Sequence, residues 1–370
     1  MKTLFSQFKF REWKRWIGID EFADYPSRST FQSAAKLEKL MSKSAISLAC
    51  SLIFFAFVAP IYAPAYAEEP ISPIPISANE DTARIDLGRR LFSEERLSRN
   101  KAFSCVSCHP LNGAGIDGRA RAIGANGKSL LRNTPTIFNL RFNLYLNWDG
   151  AHETLRRHTE AVLKNPALMD NKIEELVTKL NEIPMYYSDF RKVYPQGLDK
   201  ESLIDAIVTY EESLTTPNAR FDRYLRGDQS AITADELHGY QLFKSNGCIA
   251  CHQGVNVGGN LLQRFGVFAE PQSLGTEGDG TDLGRFRVTK DSNDKGVFRV
   301  PSLRNVAVTG PYFHDGRTKT LEEAIWVMAR AQLGRVLTGE DIRSIAAFLG
   351  TLTGEFEGKS LSTPSEGDKK

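Results

Sequence analysis

Cys105-Val-Ser-Cys108-His109 sets two thiols and an adjacent imidazole at the spacing that covalent attachment of a c-type haem requires. In such a motif the thiols bond the porphyrin vinyl groups and His109 ligates the iron. Cys248-Ile-Ala-Cys251-His252 is a second copy, so two covalently bound haem c groups are expected, with His252 on the second iron. Paired CxxC motifs also hold zinc, but zinc pairs typically lie ~15–20 residues apart. These two lie much farther apart, and both end in His.

The chain repeats itself around the motifs. Pro135-Thr-Ile-Phe-Asn139 recurs as Pro301-Ser-Leu-Arg-Asn305, Trp148-Asp149-Gly150 as His314-Asp315-Gly316, and Thr154-Leu155 as Thr320-Leu321, all at one offset. The same offset pairs Val162 with Met328. A thioether can be the sixth ligand of a haem iron and an isopropyl group cannot. The second haem is therefore expected to be held by His252 and Met328 and to carry electrons, while the first keeps an open face. A Met on an amphipathic helix is more often core packing; the repeat is what favours ligation.

Helices must position these groups. Apolar periodicity and caps predict a short helix over 86–92, amphipathic helices over 154–163, 172–180 and 200–214, and one over 234–244 leading into the second motif. Thr320-x-x-Glu323 reads as a capping box opening a helix to Leu333, and Thr338 caps a last helix. The Gly-rich stretch 113–128 reads as loop; its formal GxGxxG match follows a haem ligand instead of a buried strand, which makes it a weak dinucleotide signal, and it is set aside. Residues 254–296 read as irregular. The expected fold class is mainly α, with two cytochrome c-like haem domains related by internal duplication. The first spans 68–215 and the second 216–354, with a linker near 215–218, a Pro-rich extended arm over 68–79 and a disordered polar tail over 355–370.

An apolar run over 45–58, Lys43 just before it and Ala65-Tyr-Ala67 after it read as a secretory signal over 1–67, cleaved after Ala67, with the mature chain in the periplasm. The lead before Met41 is too long for an ordinary signal, so Met41 is the expected start. The run is short of the ~20 residues a membrane-spanning helix needs. Beyond residue 67 remain 38 basic and 40 acidic residues, a balance that gives no support to nucleic-acid binding. Cys50 leaves with the signal and the other four cysteines all lie in the haem motifs, so no structural disulfide is expected.

From about Asp86 to Gly354 the chain resembles the bacterial di-haem cytochrome c peroxidases. The motifs that carry the resemblance are Cys105–His109, Arg132-Asn-Thr-Pro-Thr136, Trp148-Asp-Gly150, Cys248–His252, Pro301-Ser-Leu-Arg-Asn305, Thr309-x-Pro-Tyr-Phe-His-Asp-Gly316 and Met328-x4-Leu333. The resemblance implies reduction of hydrogen peroxide to water at the first haem, with electrons entering at the Met328 haem from a small periplasmic cytochrome c or cupredoxin. It also implies an inter-haem role for Trp148 and a structural Ca²⁺ on the Asn133 side chain and the Thr309 and Pro311 carbonyls. His314 is implied as support near the haems. Relatives often dimerise, which leaves a homodimer open.

Departures from the family pattern fall on the reactive side. The family's gating His aligns with Ala125, and its distal Glu aligns with Leu168. Moving a proton between the peroxide oxygens is worth about 10²–10⁴-fold in rate, so another group must do it or peroxide is not the substrate. His158, one helical turn before Val162, is the candidate acid/base; set among Arg156, Arg157 and Glu160, it reads more blandly as an exposed surface His. Asp170 would need a small register shift to reach the site. Two other readings stay open: a di-haem enzyme that oxidises a partner protein, and a non-catalytic electron carrier or haem sensor.

Overall fold

Asp81 caps the first helix, α1 (Thr82–Phe92), by accepting from the Arg84 amide, which starts it four residues before the apolar pattern does. The computed structural model describes residues 69–76, 81–270 and 282–363, which belong to one compact unit. The expected signal over 1–67, the start at Met41 and residues 364–370 lie outside the described residues. No helix among the described residues is long and apolar enough to cross a membrane.

The first haem motif forms a single turn, α2 (Cys105–Cys108). Then follow α3 (Leu155–Lys164), capped by Thr154, α4 (Ile173–Asn181), α5 (Pro184–Val193) and α6 (Lys200–Ser213), capped by Asp199. The sequence pattern misses α5, whose Pro184 opens the helix where a missing N–H costs nothing. It also misses the short α7 (Arg220–Leu225). Helix α8 (Ala234–Ser245) carries a Thr233/Glu236 capping box and leads into a 3₁₀ turn, Cys248–Ala250, that holds the second motif.

The stretch expected to be irregular contains β1 (Leu262–Arg264) and the turn α9 (Phe286–Thr289). Strand β1 pairs antiparallel with β2 (Val297–Arg299). Helices α10 (Leu321–Leu333) and α11 (Gly339–Gly350) follow, then a small hairpin of β3 (Glu355–Phe356) and β4 (Lys359–Ser360). At α10 the capping box is only half formed: Thr320 accepts from the Glu323 amide, while the Glu323 carboxylate accepts from Lys319 N.

Each half is built on one close helix crossing, α1 on α6 and α8 on α11. A Cβ on Gly88 would lie 2.0 Å from the Ala206 carbonyl oxygen, and one on Gly239 would lie 1.9 Å from that of Ser344. Only glycine allows either approach. Leu87, Leu176, Phe190 and Ile204 fill the first half, and Tyr240, Phe243, Ile325 and Phe348 the second. The sequence repeat is also a backbone repeat. Asn139 and Asn305 share φ 64°, Gly150 and Gly316 share φ 63°, and the bridge Leu146–His152 recurs as Tyr312–Thr318.

The segment read as a linker is instead a buried clasp. Thr216 is 0% exposed, and its hydroxyl receives the Asn139 side-chain amide at 2.8 Å and that of Asn305 at 3.1 Å. Chain ends cross over. The arm at 69–76 lies on the second half, where Ile71 enters the core, Gly254 N donates to Pro70 O and Arg304 donates to Ser72 O. The tail expected to be disordered from 355 is ordered through 363 and lies on the first half. Phe356 packs 5.0 Å from Phe138, Arg89 pairs with Glu357, and Leu361 is buried with Ile85 and Tyr210. Apolar side chains at Phe356 and Leu361 are what a polar average over the tail conceals.

Candidate active site

Gly115 lies at φ 68° against Ile137 and Phe138, a position that a Cβ would close. Its carbonyl accepts from His109 Nδ1 at 3.0 Å, and the Val257 carbonyl accepts from His252 Nδ1 at 3.3 Å. In both motifs Nδ1 is thereby committed, which leaves Nε2 available to a metal. Burial holds both imidazoles below their ordinary pKa, that of His252 at about 4, so both are neutral, as iron ligation needs. Burial also raises the thiols of Cys108 and Cys248 to about 11. The four motif cysteines, those among the described residues, are free thiols.

Two cavities open on the motifs. Cys105, Cys108 and His109 line the first, with His158, Val162, Leu168 and Ala125. Cys248, Cys251, His252 and Met328 line the second. Val162 and Met328, paired by the repeat, thus occupy corresponding walls. Trp148, Arg299, Asn143 and the segment from Asn133 to Thr136 line both cavities and form the partition. Trp148 Nε1 donates to Asn133 O at 3.0 Å, which fixes the indole in that partition.

Arg299 is buried, and burial lowers its pKa to about 10, with no ion-pair partner among the described residues. A buried cation without a counter-charge is costly unless a ligand supplies one. The propionates of a haem are such a group. Committed Nδ1 atoms, apolar walls and a buried guanidinium without a carboxylate partner among the described residues together fit haem. Asn133, Thr309 and Pro311, the residues expected to hold Ca²⁺, all line the second cavity, and Asn133 Nδ2 donates to Arg119 O.

The distal wall of the first cavity corrects one reading. His158 is not an exposed surface residue. Its ring lines the cavity, Nε2 donates to Asn147 Oδ1 at 3.0 Å, and burial followed by the neighbouring His152, His109 and Arg299 holds its pKa down at about 3. Asp170 instead pairs with Arg99 at 3.0 Å and lies outside the cavity lining. His314 stacks on Phe298, centroids 4.1 Å apart, in the wall of the second cavity.

Sequence reasoning missed three residues of the first cavity. Asn147 and Arg299 give no local signal. Glu211 does: it lies four residues after Ile207 on the apolar face of α6. It is buried at the cavity wall and accepts from Thr159 Oγ1 at 2.8 Å, and burial raises its pKa to about 7.

A family model for di-haem cytochrome c peroxidase matches residues 82–230. Cytochrome c551 peroxidase of Nitrosomonas europaea is 39% identical over 292 residues, covering 78% of this chain and 85% of its own length. The chain belongs to the di-haem cytochrome c peroxidase family. It is an oxidoreductase of the peroxidase class. Cytochrome c peroxidase of Escherichia coli K12 is 42% identical over 295 residues; the match covers 80% of this chain but 63% of that protein, which is longer. Among solved structures, a MauG-like protein associated with microbial copper homeostasis superposes with TM-score 0.65 at 30% identity, covering 77% of this chain and 93% of its own. Ala125 and Leu168, the two positions read from the sequence as departures from the family pattern, both line the first cavity.

Proposed function

We propose that this chain is a periplasmic di-haem c-type peroxidase that reduces hydrogen peroxide to water with electrons from a small cytochrome c or cupredoxin. One observation carries the reading: two similar cavities share a partition containing Trp148, and Met328 lines one where Val162 lines the other. One site suits electron transfer and the other leaves room for a substrate.

In this reading two cytochrome c-like domains, 68–215 and 216–354, arose by internal duplication, and export removes residues 1–67. Cys105, Cys108 and His109 hold the first haem; Cys248, Cys251, His252 and Met328 hold the second. Haem held there would supply a redox-active iron. The chain's own residues do the rest. Trp148 bridges the two sites, His158 takes a proton from one peroxide oxygen and returns it to the other, and the Asn133 side chain with the Thr309 and Pro311 carbonyls holds Ca²⁺. Each turnover consumes one H2O2, two electrons and two protons and yields two waters. A homodimer is compatible with this scheme and is read by sedimentation.

The test is oxidation of a reduced small cytochrome c by the haem-loaded protein. Peroxide-dependent oxidation that is lost in His158→Gln is expected. Protein with both haems attached that oxidises no donor in the presence of peroxide overturns the reading.

A further inference from the structure

Thr159 and Glu211 form a polar pair where the other half of the molecule has an apolar one. The repeat offset that pairs Val162 with Met328 also pairs Thr159 with Ile325. The helix crossings give a second register: Ala206 meets Gly88 as Ser344 meets Gly239, so Glu211, five residues past Ala206, corresponds to Leu349, five past Ser344. Ile207 and Ile345 agree with that register, since one lines the first cavity and the other the second. Thr159 and Glu211 line the first cavity. Ile325 and Leu349 line the second, where both belong to the apolar core.

Packing alone therefore does not call for a carboxyl here. Replacing both members of a buried hydrogen-bonded pair by apolar groups of similar shape is often neutral or stabilising, and the second half shows the apolar solution. The Thr–Glu pair is 4% and 5% exposed, and burial raises the carboxyl to about 7, so near neutral pH it is divided between its protonated and ionised forms. Oε2 is committed, accepting from Thr159 Oγ1 at 2.8 Å. Oε1 has no hydrogen bond among the described residues, yet it is not sealed from solvent as the unpartnered Asn260 Oδ1 and Thr318 Oγ1 are. It keeps accessible surface in a side chain that forms the cavity wall. The titratable groups in electrostatic reach are Glu212 on its own helix and Cys105 on α2, and Thr159 on α3 is uncharged. Cys105 leaves titration once it is bonded to haem.

We propose that Glu211 is a proton carrier: it takes up a proton as the first site takes up an electron, and passes that proton into the cavity from Oε1. In the peroxidase reading His158 moves a proton only from one peroxide oxygen to the other, so two further protons must accompany the two donor electrons. Each is delivered as the carboxyl O–H bond breaks and an O–H bond of the second water forms. The donor protein is oxidised, the peroxide oxygen is reduced, and the carboxylate regains its proton from solvent. The inference rests on the peroxidase reading for the fate of the proton, whereas the coupling of proton to electron at this site does not depend on the substrate.

Spectroelectrochemical titration of the haem-loaded protein, repeated on both sides of neutral pH, measures the reduction potential of the first haem. That potential is expected to fall as pH rises through about 7, because electron uptake there brings a proton with it. Glu211→Gln keeps an acceptor for Thr159 and is expected to flatten the fall. It is also expected to slow the donor-dependent half of turnover about tenfold or more, with the first reaction with peroxide unchanged. Thr159→Ile combined with Glu211→Leu transplants the pair of the second half; it is expected to match the Gln variant in both readings, with a urea midpoint no lower than that of the parent. An unchanged slope of potential against pH in Glu211→Gln overturns the inference, whether or not the protein consumes peroxide. A flattened slope in a protein that consumes no peroxide upholds Glu211 and overturns the peroxidase reading alone.

Discussion

Arg299 and Trp148 are joined twice: Arg299 N donates to Trp148 O at 2.7 Å, and the guanidinium carbon lies 5.8 Å from the centre of the indole. Strand β2 is thereby locked to the partition between the cavities, with Trp148 Nε1 held on Asn133 O from the other side. Trp148→Phe keeps most of the packing and loses that hydrogen bond. The expected outcome is a stability loss of about 1 kcal/mol by urea unfolding, with slower electron passage from the second haem to the first after peroxide mixing.

Val162→Met places a thioether where the repeat puts Met328 in the other half. The first haem is expected to become six-coordinate and low-spin, and to lose its rapid reaction with peroxide. Electron paramagnetic resonance of the ferric protein reads the first effect. A high-spin signal that survives the substitution would falsify the assignment of Val162 to the open face.

Glu211 predicts a pH dependence of stability. Burial, outweighing the bond from Thr159, raises its carboxyl from 4.5 in the unfolded chain to about 7 in the fold. A raised folded pKa means the contribution is fully present below about pH 4.5 and is lost as pH rises through about 7. The loss amounts to about 3 kcal/mol. Glu211→Gln removes this dependence, and urea midpoints of the haem-loaded protein across that window should flatten.

Thr216→Val deletes the hydroxyl that receives both Asn139 and Asn305, which are 1% and 0% exposed. Two buried amides lose a partner, at a cost of about 2–4 kcal/mol. The urea midpoint should fall with an unchanged slope, because the surface exposed on unfolding is the same.

Much of this site is legible in the sequence, and the reason is that its signals are local. Covalent haem attachment sets the expected spacing of Cys105, Cys108 and His109, and the offset of the internal repeat pairs Val162 with Met328. What escapes is decided by packing between distant residues. Arg299 meets Asn147 across 152 positions, Arg304 meets Ser72 across 232, and Thr216 joins Asn139 to Asn305 across 77 and 89. His158 reads as a surface residue because its neighbours Arg156 and Arg157 are charged. Those side chains project away while the ring turns inward to Asn147, a choice helical periodicity allows but composition hides. The tail fails for the opposite reason: two apolar residues, Phe356 and Leu361, are enough to dock a segment whose average is polar.

Anaerobic stopped-flow absorbance of the half-reduced, haem-loaded protein mixed with stoichiometric H2O2 tests the central claim most directly. The account predicts rapid oxidation of the haem bearing Met328, slowed in His158→Gln, with turnover on addition of reduced cytochrome c. A first haem that is already six-coordinate and low-spin, and inert to peroxide while the second stays reduced, would contradict it.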